Sequence, residues 1–226
     1  MVLEQEFVNL GAAFLTPAGE INSALAGIKA FVFDWDGVFN DGRKSSHIDS
    51  TFSEIDSMGI NLLRFDYWLR KGEIPLIYII TGMKNNEAVE FSKREHFNGI
   101  YINTKNKRQA LESICINNKI SSREVAFSFD DVLDIEVAGM SGVSFFVGRK
   151  SNPLLTDYIK ENHVCNYITA FSGENNAVRE ICELIIGLSG DYKKTVELRI
   201  QFTGEYEEYL RKRGSISTDI EMLSQS

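Results

Sequence analysis

The chain alternates between short, continuous apolar runs and longer segments in which apolar residues recur every three or four positions. The short runs are rich in Val, Ile and Phe, and such continuous runs are typical of strands in a sheet that is covered on both faces. We predict five strands of this kind: Lys29–Asp34, Pro75–Thr81, Ile100–Ile102, Val125–Phe129 and Val143–Val147. The pattern therefore predicts β and α elements in succession.

The segments between these runs have helical spacing. In one of them, Ala110, Leu111, Ile114 and Cys115 recur at the i, i+3, i+4 positions of a buried stripe. The predicted helices are Ile60–Arg70, Asn85–Glu95, Lys107–Asn117, Leu133–Ala138 and Pro153–Lys160. This order predicts an α/β fold with a doubly wound, mostly parallel, Rossmann-like sheet, in which ligand sites lie at the carboxyl ends of the strands.

Three further segments lie outside this alternation. Asp41–Ile55 is polar and follows the first predicted strand without helical periodicity, which favours a short β-hairpin flap. Thr16-Pro17 is typical of a helix N-cap followed by proline, for a helix that ends near Ala26. Asp191–Arg213 predicts a charged helix, and the polar tail after it is predicted to be disordered.

Composition narrows the class of protein. The chain has 226 residues, with 24 Lys and Arg against 32 Asp and Glu, for a formal net charge of −8. This acidic balance argues against nucleic acid or an anionic membrane surface as the main partner. The acidic start and the lack of an apolar run of about 18–20 residues argue against a signal peptide and a membrane span. Three scattered cysteines favour a reducing, cytoplasmic setting over a disulfide framework.

The candidate chemistry begins where the first predicted strand ends. Asp34 and Asp36 follow a buried apolar run, where packing alone does not call for carboxylates. Residues i and i+2 of a strand face the same way, so the two side chains are expected to converge on one centre. Gly37 permits a sharp turn directly after them. The alternative is that both aspartates only cap this turn.

Two more strand ends carry polar groups suited to an anion. Thr81 and Gly82 end the second predicted strand and offer a hydroxyl and backbone N–H groups. Lys107 begins a helix, where a cation opposes the helix dipole and a purely surface role is therefore disfavoured. Taken singly, Thr81 is equally consistent with an ordinary strand residue, and Lys107 with a surface lysine.

A third acidic group follows the strand Val125–Phe129. Asp130, Asp131 and Asp134 lie within a few residues of its end. Carboxylates at this density need a counter-charge, and ligands that are all oxygen favour Mg²⁺.

In this order, the motifs resemble those of the haloacid dehalogenase-like (HAD) phosphatases. The pattern is D-x-D-G at Asp34–Gly37, T-G at Thr81-Gly82, a helix-initiating Lys107, and D-D-x-x-D at Asp130–Asp134. With the later Ala177-Val-Arg-Glu180, the chain is similar to the capless sugar-acid branch. That branch contains the 3-deoxy-manno-octulosonate (KDO) 8-phosphate phosphatases and the nonulosonate 9-phosphate phosphatases. The resemblance covers about residues 28–188.

The resemblance implies an enzyme, a Mg²⁺-dependent phosphoric monoester hydrolase, with a role for each motif residue. Asp34 would be the nucleophile that forms an aspartyl-phosphate, and Asp36 the general acid and base. Mg²⁺ would be held by Asp34, Asp130 and the backbone carbonyl of Asp36, with Asp131 and Asp134 in support. Thr81, Gly82 and Lys107 would bind the phosphoryl oxygens.

The chain departs from the family's pattern at three places. Phe129 stands where family members carry a small residue, Met83 follows Thr81-Gly82 where a charged residue is common, and the glycine-rich loop is reduced to Ser172–Asn176. These departures motivate a second hypothesis, a catalytically weakened relative that serves as a binding or regulatory subunit. A third, a receiver-type signalling domain, is disfavoured because its paired acids and phosphorylated Asp come from different strands.

The spacing also bears on assembly. Only a hairpin and one helix fit between Asp36 and Thr81, which is too little for a cap domain. Capless relatives form tetramers whose neighbouring subunits cover the site, so a homo-oligomer, with a tetramer favoured, is implied. The predicted organisation is an N-terminal extension with a short helix at 1–28, the catalytic domain at 29–188, and a helical extension with a polar tail at 189–226.

Overall fold

The computed structural model describes residues 2–44 and 49–223. In this part of the chain, eight strands form one sheet in the order β1-β7-β6-β5-β2-β3-β4-β8, and every pair except β1–β7 is parallel. The strands are β1 (Ala13–Phe14), β2 (Ala30–Phe33), β3 (Leu76–Ile80), β4 (Gly99–Tyr101), β5 (Val125–Phe129), β6 (Val143–Phe146), β7 (Tyr167–Ile168) and β8 (Asp219–Glu221). The predicted α/β fold class and all five predicted strands are confirmed.

Helices connect the parallel strands and cover the sheet. They are α1 (Val2–Leu10), α2 (Ala18–Leu25), α3 (Glu54–Lys71), α4 (Asn86–Arg94), α5 (Lys107–Asn118), α6 (Ile135–Met140), α7 (Pro153–Glu161), α8 (Ala177–Ser189), α9 (Tyr192–Gln201) and α10 (Glu205–Gly214). Each of the five predicted helices is present. Four agree within two residues at each end, whereas α3 begins at Glu54, six residues before the predicted start at Ile60. Among the described residues, no helix is both long enough and apolar enough to cross a bilayer.

The sheet separates two apolar layers, because successive residues of a strand face opposite sides. Phe31 and Phe33 of β2 pack in the layer that contains α2, α3 and α8. Val32 packs in the other layer, with Leu111 and Ile114 of α5. The predicted stripe on α5 is therefore buried, and the continuous apolar runs are explained by burial on both faces.

The predicted hairpin over Asp41–Ile55 was wrong for the described residues. Residues 41–44 and 49–53 form no strand, Glu54 already begins α3, and 45–48 lie outside the described residues. Side-chain hydrogen bonds take the place of a strand ladder. Asn40 Nδ2 donates to the carbonyl of Thr51 at 2.9 Å, while its Oδ1 accepts from the amide of Gly42 at 2.8 Å.

Both ends differ from the sequence-based expectation. The N-cap of α2 is Pro17 rather than Thr16. The predicted single helix over Asp191–Arg213 is two helices, because Phe202 and Gly204 take left-handed φ angles of 57° and 61°. The polar tail is not disordered at Asp219–Glu221, where β8 pairs with β4.

Thr218 anchors this last strand. Its hydroxyl donates to the carbonyl of Phe97 at 2.8 Å and lies 3.1 Å from the carbonyl of Ser92. The segments 1–28, 29–188 and 189–226 all contribute strands to the same sheet. The boundaries between them stay predictions.

Candidate active site

Three buried carboxylates meet at the carboxyl end of the sheet. Asp34 directly follows β2 and Asp130 directly follows the adjacent β5, so the parallel pairing brings them together. Asp134 ends a 3₁₀ turn that begins two residues after Asp130. One carboxylate oxygen from each residue lies within 4.8 Å of the others, and all three side chains are buried.

Lys107 lies within this cluster. It is the first residue of α5, which Asn106 caps by accepting a hydrogen bond from the amide of Gln109 at 3.1 Å. Lys107 Nζ is 2.7 Å from Asp34 Oδ1 and 2.6 Å from Asp134 Oδ1. Burial alone lowers the pKa of Lys107, but the two carboxylates outweigh it and hold the pKa above its ordinary value.

The cluster still carries an excess of negative charge. Burial raises the pKa of both Asp130 and Asp134, and the nearby charge of Asp34 raises it further. A cation that binds between these oxygens would reverse that effect, since it favours the ionised carboxylates. The donors are oxygens only, which is the set that Mg²⁺ prefers. The residues present therefore fit a divalent metal.

Thr81 presents an unpaired hydroxyl to this end of the sheet. It follows β3, its backbone is fixed by hydrogen bonds to Tyr101 and Thr104, and its side chain is fully buried. Within residues 2–44 and 49–223, its Oγ1 has no hydrogen-bond partner. A buried hydroxyl without a partner costs free energy, so this position is suited to an oxygen of a bound ligand. Gly82, the next residue, is partly exposed.

The carboxylate of Asp36 lies apart from the Asp34–Asp130–Asp134 cluster. It forms an ion pair with Lys44 and accepts a hydrogen bond from Ser50 Oγ at 2.5 Å. Asp36 is not among the carboxylates that lie within 4.8 Å of one another, and β2 ends at Phe33, so both aspartates follow the strand instead of belonging to it. That Asp34 and Asp36 converge on one centre stays a prediction. Trp35 between them packs in the core, as its position predicts.

Asp131 also lies apart from the cluster. Its Oδ1 accepts a hydrogen bond from the amide of Val132 at 2.6 Å, so it caps the 3₁₀ turn that carries Asp134. Of the three aspartates that follow β5, the one that pairs with Lys107 is Asp134, three residues after Asp131.

Sequence reasoning missed Arg149. It follows β6, the strand next to β5, and its Nη2 pairs with Asp130 Oδ2 and donates to the carbonyl of Gly37 at 3.2 Å. The available signal was a cation just beyond the apolar run Val143–Val147, at the same end of the sheet as the aspartates. Lys44 and Ser50 were missed too, since their polar surroundings carry no motif.

Known proteins resemble this chain in sequence and in structure. No family model matches it. It is 26% identical over 187 residues to the 3-deoxy-D-manno-octulosonate 8-phosphate phosphatase of Escherichia coli strain K12, covering 80% of this chain and 93% of that enzyme.

Solved structures agree. The chain is similar to the Moraxella catarrhalis 3-deoxy-D-manno-octulosonate 8-phosphate phosphatase in complex with magnesium, phosphate and KDO, with a TM-score of 0.64 and 25% identity over 82% of this chain and 99% of that one. A probable YrbI family phosphatase from Pseudomonas syringae pv. phaseolica has the same fold, with a TM-score of 0.67 and 24% identity over 80% of this chain and 97% of that one.

The chain resembles the capless HAD-like phosphatases in sequence and in fold. Its relatives by sequence and by fold are phosphoric monoester hydrolases, which confirms both the resemblance and the expected enzyme class. In the described residues, the connections after β2 and β3 lead directly to α3 and α4, with no inserted domain.

Phe129, an unusual residue for a HAD-like phosphatase, lies outside the site. Its ring is fully buried and packs 5.9 Å from that of Phe127 and 5.3 Å from that of Phe146, between centroids. It belongs to the apolar layer with α5, whereas the next residue, Asp130, belongs to the acidic cluster. The substitution has therefore not displaced the acidic residue.

This placement makes a prediction about Phe129→Ala. The free energy of unfolding of the variant should be about 3 to 5 kcal/mol lower than that of wild type, because the substitution leaves a cavity in the core. Its turnover of p-nitrophenyl phosphate per folded molecule should stay within about threefold of wild type, because the site does not contact the ring. Urea unfolding and steady-state kinetics measure the two effects. Ile116→Ala, at an exposed position of α5, is the control. A large loss of turnover at full folding would contradict the assignment.

The shortened glycine loop keeps the glycine that the fold requires. Gly173 lies against the backbone of the loop after β2, where an added Cβ would overlap the carbonyl oxygens of Gly37 and Asn40. Glu180 of α8 fixes the adjoining segment, since its carboxylate accepts from the amides of Ala170 at 2.8 Å and Phe171 at 3.0 Å. The loop is thus held against the active site by contacts that do not need more than one glycine.

Proposed function

We propose that this HAD-like phosphatase is a Mg²⁺-dependent phosphomonoesterase that acts through an aspartyl-phosphate on a small sugar-acid phosphate. KDO 8-phosphate or a nonulosonate 9-phosphate are the leading examples. One observation carries the proposal: the buried cluster of Asp34, Asp130 and Asp134 around Lys107. The sugar-acid class is supported by the relatives, which include an enzyme in complex with KDO, phosphate and magnesium.

Asp34 is proposed as the nucleophile. Its carboxylate oxygen forms a bond to phosphorus while the bond from phosphorus to the sugar oxygen breaks. Asp36, held by Lys44 and Ser50, is proposed to give a proton to that leaving oxygen. In the second half, Asp36 takes a proton from water as the water oxygen attacks phosphorus and releases Asp34.

Thr81, Gly82 and Lys107 are proposed to hold the phosphoryl group. The unpaired Thr81 hydroxyl and the amide of Gly82 supply neutral donors, and Lys107 supplies a fixed positive charge next to Asp34. Donors that are already oriented in a dry site stabilise the charge that develops in the transition state. The free-energy cost of orienting Thr81 and Lys107 is met when the protein folds, because β3 and α5 fix the positions of these two residues.

Asp34, Asp130 and the carbonyl oxygen of Asp36 are proposed to hold Mg²⁺, with Asp131 and Asp134 in support. When bound, the metal would neutralise the carboxylates and withdraw charge from the phosphoryl oxygens. Asp134 is suited to orient Lys107 as well, given their 2.6 Å ion pair.

A cytoplasmic homotetramer is proposed on two observations. The three cysteines are free, which suits a reducing compartment. Exposed apolar side chains follow the carboxyl ends of β3, β5 and β6, the end that carries the active site, and exposed apolar patches mark contact surfaces. These residues are Met83, Val132, Leu133 and Leu154. Size-exclusion chromatography with light scattering should give the mass of four chains, and a monomer at micromolar concentration would contradict the assembly.

The function is tested by phosphate release from a panel of sugar and sugar-acid phosphates. We expect turnover with Mg²⁺, a loss of at least about 100-fold in excess EDTA, and recovery when Mg²⁺ is restored, since metal neutralisation supplies several kcal/mol in such sites. Turnover should be fastest with the sugar-acid phosphates. No release from any substrate, by a folded protein that binds Mg²⁺ in calorimetry, would instead favour the binding or regulatory subunit.

A further inference from the structure

The hydroxyl of Ser50 is the centre of a hydrogen-bond network that ends on Asp36. Ser50 Oγ lies 2.5 Å from Asp36 Oδ1, 2.7 Å from Asn85 Nδ2 and 3.0 Å from Trp35 Nε1. Both nitrogens also lie within 3.5 Å of the Ser50 carbonyl. Ser50 is 3% exposed, and Trp35 and Asn85 are fully buried. The network joins the loop after β2, the segment before α3 and the start of α4.

The outer members of this network fix its donor and acceptor roles. Asn85 is the N-cap of α4, and its Oδ1 accepts a hydrogen bond from the amide of Ala88 at 3.0 Å. A backbone amide only donates, so this contact identifies the side-chain oxygen of Asn85 and leaves Nδ2 as the atom that faces Ser50. Nδ2 and the indole Nε1 of Trp35 are donors and cannot accept. Among the described residues, Asp36 Oδ1 is therefore the acceptor left for the hydrogen of the Ser50 hydroxyl.

The two oxygens of Asp36 thereby receive different roles. A hydroxyl oxygen has two lone pairs, and in Ser50 both face donors, so it cannot accept a proton from Asp36 Oδ1 as well. A proton on the Asp36 carboxyl therefore belongs on Oδ2. In the described structure, Oδ2 pairs with Lys44, whose side chain is 26% exposed. Because Lys44 is long and partly exposed, a substrate oxygen can take its place on Oδ2.

The surroundings hold Ser50 in this position. The preceding Asp49 accepts a hydrogen bond on Oδ2 from the amide of Asn86 at 2.8 Å, so residues 49 and 50 both bind the first turn of α4. On the other side, the Trp35 ring stacks on Phe39 with 4.9 Å between centroids. Since these contacts form on folding, the Ser50 hydroxyl is already oriented when a substrate arrives.

We propose that Asn85 is a positioning residue for the proton transfer. It directs the hydrogen of Ser50 to Oδ1 of Asp36 and so leaves Oδ2 as the oxygen that carries the proton. Trp35 is the second donor that enforces this direction. The inference rests on the proposed function: as the bond from phosphorus to the sugar oxygen breaks, the proton moves from Oδ2 to that oxygen. In the second half of the reaction, Oδ2 takes a proton from the attacking water.

The test compares two leaving groups in the same phosphoryl transfer. p-Nitrophenyl phosphate releases a stable anion that needs no proton, whereas the sugar phosphate that wild type hydrolyses fastest releases an alcohol. Because kcat/KM covers only the steps up to release of the leaving group, the later base role of Asp36 does not enter. For Ser50→Ala, the ratio of kcat/KM for the sugar phosphate to that for p-nitrophenyl phosphate should fall about 10- to 100-fold.

The matched control removes another buried serine hydroxyl. Ser92 of α4 donates to the carbonyl of Ala88 at 2.8 Å, outside the network. Ser92→Ala should therefore leave the ratio unchanged. Urea unfolding verifies that each variant is folded under the assay conditions.

A second variant keeps the Ser50 hydroxyl and reverses its direction. Asn85→Asp retains an oxygen to cap α4 and places an acceptor where Nδ2 donated, so the hydrogen of Ser50 turns to residue 85 and Asp36 loses it. The ratio should fall about as far as in Ser50→Ala, since the added negative charge acts on both substrates and cancels in the ratio.

Three outcomes would overturn the proposal. An unchanged ratio in folded Asn85→Asp would remove the role of Asn85. Equal losses on both substrates in Ser50→Ala would mean that the network is structural and has no part in proton transfer. If folded wild type hydrolyses neither substrate, the proposed function itself fails and the role of Asn85 fails with it.

Discussion

Asp34→Asn should lose at least about 10⁴-fold in kcat on every phosphate ester that the wild type hydrolyses. The substitution keeps the size of the side chain and removes the carboxylate oxygen that forms the bond to phosphorus, and loss of a nucleophile has effects of this order. Steady-state phosphate release with saturating Mg²⁺ measures it. Asp157→Asn, on the exposed side of α7, makes the same chemical change far from the acidic cluster and should keep full activity.

Urea unfolding of Asp34→Asn shows whether its loss of activity comes from the missing nucleophile or from a destabilised fold. Asp34 faces Asp130 and Asp134, and its charge raises the pKa of both. Without Mg²⁺, Asp34→Asn should therefore unfold at a urea concentration no lower than wild type, because it relieves like-charge repulsion. More than about a tenth of wild-type activity in this variant would rule out Asp34 as the nucleophile, since no other described carboxylate stands in its place.

The central part of the fold was predictable because its signals are strong. Strands β2, β3 and β5 are continuous apolar runs, and a buried parallel sheet requires such runs. Their ends then locate Asp34, Thr81 and Asp130 at one edge without further information. The edge strands β1 and β8, and β7 beside β1, have two or three residues each, too few for any period to be visible. The strand β8 exists because Thr218 and the free edge of β4 hold it, which are tertiary contacts.

The features of the active site that the sequence could not predict also depend on tertiary contacts. Lys107 and Asp134 were predictable because one begins a helix and the other belongs to a compact acidic motif. The position of the Asp36 carboxylate depends on Ser50, whose hydroxyl also lies 2.7 Å from Asn85 Nδ2. These three residues come from separate segments, so no local pattern joins them. The pair of Arg149 and Asp130 was not predictable for the same reason, since the two residues follow neighbouring strands, β6 and β5, that lie apart in the sequence.

In the C-terminal segment, tertiary contacts bury aromatic residues of a sequence that is mostly polar. Tyr206 and Tyr209 of α10 are buried against Phe65 and Trp68 of α3, in an aromatic cluster separate from the two sheet layers. The Tyr206 hydroxyl donates to Asn61 Oδ1 at 3.2 Å. α3 follows the segment that carries Lys44 and Ser50, so α10 stabilises the helix at the far end of that segment.

Lys107→Met should reduce both activity and stability, by about 10³-fold in kcat and about 3 to 5 kcal/mol in the free energy of unfolding. The variant keeps most of the side-chain volume and removes the one cation that lies between Asp34 and Asp134 in the described structure. Those carboxylates are buried, so the loss leaves uncompensated charge where water cannot reach it. Lys105→Met, two residues earlier and exposed, should change neither quantity.

Magnesium provides the decisive comparison for Lys107. If Lys107 and a metal neutralise the same cluster, Mg²⁺ should raise the unfolding free energy more in Lys107→Met than in wild type, because more negative charge is then left to neutralise. The activity loss should persist at saturating Mg²⁺, since a metal ion cannot supply the N–H donor that Lys107 offers to the phosphoryl group. Urea unfolding with and without Mg²⁺, beside kinetics under the same conditions, separates these effects. Equal stabilisation of the two proteins would mean that the metal and Lys107 neutralise different charges, and the cluster of Asp34, Asp130 and Asp134 would not be the metal site.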